Sequence, residues 1–112
     1  MQLTLQVQNS DLAGALRGYI DRRLRFALSR FGDHVGRVVV KISGLNGSRG
    51  GTRKGCHIAV DMKPVGRVVA HETDLDLYVA IDRATRRIGR LFSQRLQRSA
   101  ESNLVRQTVR AA

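Results

Sequence analysis

The sequence predicts an α+β domain in the order β-α-β-β-β-α, a four-stranded sheet with two helices packed on one face. Three observations predict it. Apolar and polar residues alternate in four short stretches, and apolar residues recur at helical spacing in two long ones. Each stretch also has one apolar side only, so two helices on one side of a sheet bury all six. The 112 residues suffice for one domain with a modest core. Aromatics are 4% and Trp is absent, so that core must be aliphatic.

Leu3, Leu5 and Val7 alternate with Gln2, Thr4, Gln6 and Gln8, the pattern of a half-buried strand. Asn9-Ser10-Asp11 supplies N-cap residues. Over 12–31 the period changes. Leu12, Leu16, Ile20, Leu24, Ala27 and Phe31 fall on one side of a helix, supported by Tyr19 and Leu28, and Gly32-Asp33 ends it. Residues 35–44 read as a strand with Val38, Val40 and Ile42 on one face. The glycine-rich stretch 45–52 reads as a flexible loop.

Cys56, Ile58, Val60 and Met62 mark a third strand, Lys63-Pro64 a turn, and Val68 and Ala70 the inward residues of a fourth strand over 65–72. Facing parity fixes the register of this hairpin: a one-residue slip swaps the faces. The shortest consistent pairing sets His57 opposite His71 and Asp61 opposite Arg67. Thr73-Asp74-Leu75-Asp76 has the spacing of a capping box. Leu77, Ile81, Ala84, Ile88 and Leu91 then mark a second helix, to about Arg98. Beyond Ser99 the periodicity dissolves, which predicts one domain over 1–98 and a mobile tail over 99–112. The outer sheet face stays wet, as an antiparallel sheet allows.

Charge narrows the function. Twenty Lys and Arg against nine Asp and Glu give +11 and a pI near 11.5. Counterion release makes nucleic acid the default partner of so basic a domain. Seventeen of the cations are Arg, whose planar fork matches phosphate oxygens. The second helix concentrates them: Arg83, Arg86, Arg87 and Arg90 stand at i, i+3, i+4 and i+7, opposite the apolar stripe. No acidic residue occurs between 83 and 100. Like charges at these spacings repel, so an uninterrupted stripe points to an external polyanion. The first helix adds Arg22, Arg23, Arg25 and Arg30. Together the two helices present a basic slab suited to backbone phosphates of folded RNA, which position a protein without reading sequence.

Other chemistries find little support. The glycine loop matches no phosphate-binding Gly-x-x-x-x-Gly-Lys-Ser/Thr window. His57 and His71 lack a third placed ligand, so no metal is expected. Cys56 faces the core by parity and serves packing. Asp74 and Asp76 stand at a helix start, where carboxylates cap. No catalytic constellation, cofactor or small-molecule substrate is expected. A lone cysteine suits a reducing cytoplasm, and no apolar stretch reaches membrane-spanning length. The wet sheet face and the sheet edges leave room for a homodimer.

The segment Asp76-Leu77-Tyr78-Val79-Ala80-Ile81-Asp82 resembles the Asp-Met-Tyr-Ala-Ala-Ile-Asp signature that opens the last helix of the hibernation-promoting factor and ribosome-associated inhibitor family (the sigma-54 modulation protein family). Leu16-Arg17-Gly18-Tyr19-Ile20 and Arg30-Phe31-Gly32-Asp33-His34-Val35 are similar to that family's first helix and its exit. The resemblance spans about residues 1–98. It implies a fold related to double-stranded-RNA-binding domains. It also implies docking to the small ribosomal subunit and its rRNA, in the cleft for messenger and transfer RNA, so that translation stops and idle ribosomes hibernate under stress. The matching basic positions are Arg22, Arg23, Arg25, Arg30, Arg83, Arg86, Arg87 and Arg90. Three departures stand out: the glycine-rich loop is longer and more basic than the family pattern, the middle strands match it loosely, and the chain is expected to stop short of the domain with which long family members pair ribosomes. The competing expectations are a generic RNA-binding module or RNA chaperone, which binds free RNA as well as subunits, and an adaptor that docks an acidic protein.

Overall fold

The computed structural model describes residues 1–7, 10–44, 53–63 and 66–111, for 10–12 and 101–111 by their backbone alone. The glycine-rich loop 45–52, the turn residue Pro64 and the capping position Asn9 lie outside the described residues. The elements are β1 (Gln2–Val7), α1 (Ser10–Leu28), a 3₁₀ segment (Ser29–His34), β2 (Val35–Ser43), β3 (Lys54–Met62), β4 (Arg67–Asp74) and α2 (Leu77–Ala111). The order is the predicted β-α-β-β-β-α.

The strands lie in the order β1-β2-β3-β4. β1 pairs with β2 in parallel, and the remaining pairs are antiparallel. The sheet is therefore mixed, which corrects the antiparallel expectation. The cause is connectivity: α1 carries the chain back along the sheet, so β2 must start at the same end as β1. The β3–β4 register is the predicted one, with His57 opposite His71 and Asp61 opposite Arg67. Between Val35 and Val38 the β2–β3 register shifts by one residue. This bulge lets both side chains turn inward despite their odd spacing, and both are buried.

The core lies between the sheet and the helices. Leu16, Ile20, Leu24 and Leu28 from α1 meet Val38, Val40 and Ile42 from β2, Cys56, Ile58 and Val60 from β3, and Ile81, Ala84 and Ile88 from α2. α2 lies across β3 and β4, while α1 touches β1 and α2. Phe92, which the apolar stripe read from the sequence omitted, is fully buried against Phe31, with ring centroids 4.8 Å apart. The helices approach closely at Gly89, where an added Cβ atom meets the Ala27 carbonyl oxygen at 3.2 Å.

Three boundaries differ from expectation. α1 gives way to the 3₁₀ segment at Ser29, and Gly32 (φ 54°) then breaks the helical path. Thr73 belongs to β4, so it does not cap; Asp76 caps α2 instead, accepting the Tyr78 amide at 2.9 Å. The backbone of α2 stays helical through Ala111 rather than stopping near Arg98. Ala, Glu, Leu, Arg and Gln still favour a helix, and neither Gly nor Pro interrupts it.

Candidate nucleic-acid interface

The eight predicted arginines divide into groups, because tertiary packing decides which flank of each helix has a neighbour. On α2, Arg83 and Arg87 lean toward β4. Arg83 meets Asp74 at 3.3 Å and Arg87 meets Glu72 at 3.1 Å. Arg86 and Arg90 lie on the other flank, toward α1. There they line a groove of about 700 Å³ with Arg23, Arg30 and Phe26. Ala27, Thr85 and Gly89 also line it, where the two helices approach each other closely.

Arg25 stands apart from the groove and pairs with Asp21 at 2.8 Å, one turn back on α1. Arg22 is exposed and lies one helical turn before Phe26. Among the described residues, Arg22, Arg30, Arg86 and Arg90 make no salt bridge, so their charge is uncompensated by a close carboxylate. The Arg30 guanidinium lies 4.8 Å over the Phe31 ring, which fixes its direction at the end of the groove. The stripe of four arginines on α2 is thus two columns with different roles: one anchors the helix to the sheet edge, the other faces outward over the groove.

Arg23 is held at 3.0 Å by Asp82, whose Oδ1 also accepts the Tyr19 hydroxyl. The Tyr19 and Tyr78 rings meet edge to face, with centroids 4.9 Å apart. Sequence reasoning missed this network, and the signature at 76–82 was its only trace. Six of the seven signature residues have a visible physical role. Asp76 caps α2, Tyr78 packs on Tyr19, Leu77, Ala80 and Ile81 are buried, and Asp82 ties α2 to α1. The aromatic at the groove, Phe26, was also missed. Its signal was positional: it falls roughly 110° away from the centre of the apolar stripe of its helix.

The outer sheet face carries the histidine pair, with His57 and His71 centroids 5.6 Å apart and Lys41 opposite His57. Partial burial, then the charges of His71 and Lys41, hold the His57 imidazole below its ordinary range. Among the described residues, no three His, Cys, Asp or Glu side chains gather closely enough to hold a metal ion. Burial pushes the Cys56 thiol up to about 12. Among the described residues, no helix is long and apolar enough to cross a membrane.

A mixed four-stranded sheet carrying two helices, with a cationic groove between them, defines the class: a small α+β domain that presents its helical face to solvent as a basic surface. The chain belongs to the sigma-54 modulation protein / S30EA ribosomal protein family, whose model matches residues 3–100. Among solved structures, the fold is similar to the N-terminal domain of Thermus thermophilus Protein Y, with 28% identity and a TM-score of 0.66 over 84% of this chain and 98% of that one. It is also similar to a ribosomal subunit interface protein from Coxiella burnetii, with a TM-score of 0.67 over 87% of this chain and 99% of that one; at 18% identity this likeness concerns the fold alone. Comparison with curated proteins gives no match.

Proposed function

We propose that this protein binds the small ribosomal subunit through rRNA phosphates, occupies the cleft for messenger and transfer RNA, and holds the ribosome in an inactive, hibernating state under stress. Family membership supports a ribosome-directed role. The observation that carries the reading is the meeting of Arg23 and Arg30 with Arg86 and Arg90 in one open groove. Guanidinium groups arranged along a groove can each take a phosphate oxygen, and every phosphate neutralised releases a counterion. Inhibition by occupancy needs no turnover and no cofactor. Its strength rests on the number of arginine contacts, so it falls steeply with salt.

Sedimentation with purified small subunits tests this. Wild type is expected to co-sediment at low salt and to dissociate as salt rises. Replacing Arg22, Arg30, Arg86 and Arg90 by Ala is expected to abolish binding at both salt concentrations. If wild type binds free RNA and small subunits equally well, the protein is a general RNA-binding module, and the cleft reading fails. If complexes persist after nuclease treatment, the arginines face an acidic protein instead.

A further inference from the structure

Phe26 has the physical character of neither a core residue nor an ordinary surface residue. Its side chain is 85% exposed, the most exposed of the large apolar residues described. It lies on α1 and lines the groove with Arg23, Arg30, Arg86 and Arg90. The guanidinium of Arg30, which could have covered it, instead lies over Phe31. The Phe26 ring therefore offers a bare π face within reach of several cations.

A lone aromatic does not make a protein-docking patch. The other large exposed apolar residues described, Met1, Val69, Leu75 and Tyr78, do not line this groove. Phosphate backbone alone gives such a ring nothing to bind, because phosphates are hydrated anions and the ring face is weakly negative. A duplex keeps its bases stacked away from a helix surface. An unpaired nucleobase fits both parts of the site. Its π face stacks on the ring while the flanking phosphates reach the arginines.

We propose that Phe26 is a stacking platform for an unpaired base of RNA, with Arg30, Arg86 and Arg90 gripping the phosphates on either side. The groove thereby selects single-stranded or looped RNA over duplex and over polyanions that lack bases. This deepens the RNA-binding function proposed above and rests on the same groove.

The sequence contains no Trp, so Phe26→Trp creates a unique fluorescent reporter at the site. Phe26→Ala removes the platform from an exposed position, so the fold is expected to persist, with an unchanged circular dichroism spectrum as the check. Three probes separate the contributions: a twelve-nucleotide oligoadenylate, an RNA duplex of equal length, and heparin, which is anionic but has no bases. Phe26→Ala is expected to weaken the oligoadenylate by roughly 5- to 100-fold while duplex and heparin change less than about twofold. Its salt slope should match wild type, because no phosphate contact is lost. Emission of the Phe26→Trp protein should be quenched by the oligoadenylate and not by heparin. Equal losses for all three probes, or none, would overturn the proposal. Sedimentation with small subunits reads the wider function separately. Subunit binding with no effect of Phe26→Ala on any probe leaves the ribosomal role standing without the platform. Base-dependent quenching without subunit binding leaves the platform standing without that role.

Discussion

The hydroxyl of Tyr19 on α1 donates to Oδ1 of Asp82 on α2, across 63 residues of sequence, at 2.5 Å. Arg23 forms an ion pair with the same oxygen at 3.0 Å, so one carboxylate joins the two helices on the flank of the basic groove. The bond to Asp82, with burial second, holds the Tyr19 phenol above its ordinary value. A phenol with a raised pKa in the folded state stabilises the fold fully below about pH 10, the unfolded value, and that stability drains away as pH rises toward the folded pKa. Tyr19→Phe is expected to cost about 1.5–3 kcal/mol in urea unfolding at pH 7, the range for a hydrogen bond to a charged acceptor. It should also remove the late component of the spectrophotometric tyrosine titration. An unchanged titration sinks the assignment.

Phe92→Ala is expected to destabilise by about 3–5 kcal/mol, since it empties a fully buried site that packs against Phe31. Thermal or urea unfolding reads the loss. A cost under about 1 kcal/mol would mean that the second helix ends its packing before Phe92.

Cys56 has no solvent exposure, and its thiol is pushed up to about 12. The reactive thiolate is therefore both scarce and shielded at pH 8. Iodoacetamide should leave the native protein unmodified over hours and alkylate it promptly in denaturant, as mass spectrometry would show.

His57 titrates below its ordinary value, so the folded protein resists protonation there more than the unfolded chain does. The stability that the neutral imidazole allows is present above about pH 6.5, the unfolded value, and is lost as pH falls toward the lower folded pKa. His57→Gln is expected to flatten the stability curve between pH 7 and 5. The same slope in wild type and variant would assign it to another group.

The two arginine columns of α2 should behave differently in RNA binding. Arg86→Ala with Arg90→Ala is expected to lower the slope of log affinity against log salt by roughly 1.4–1.8, two phosphate contacts' worth. Arg83→Ala with Arg87→Ala should change the slope less, because those side chains pair with Asp74 and Glu72 on β4. Equal slopes for the two pairs would return the stripe to a single uniform surface.

The sequence by itself determined the element order, the faces and the β3–β4 register. These follow from local periods, and a two-residue alternation or a 3.6-residue turn is written in the chain wherever one side meets a core. It also determined the family, because the signature at 76–82 packs a cap, three buried aliphatic positions and a helix-joining carboxylate into seven residues. Only the tertiary structure decided the parallel pairing of β1 with β2, which depends on where α1 returns the chain, and the bulge between Val35 and Val38. It alone split the arginines. A helical wheel places Arg83, Arg86, Arg87 and Arg90 on one arc, but β4 borders one side of that arc and α1 the other. The carboxylates that claim Arg83 and Arg87 come from the strand just before the helix, whereas the exposed ring of Phe26 that shares the groove with Arg86 and Arg90 comes from α1, far earlier in the chain. Charge and period are local properties of a chain, whereas the neighbours of a charge are set by how its elements pack.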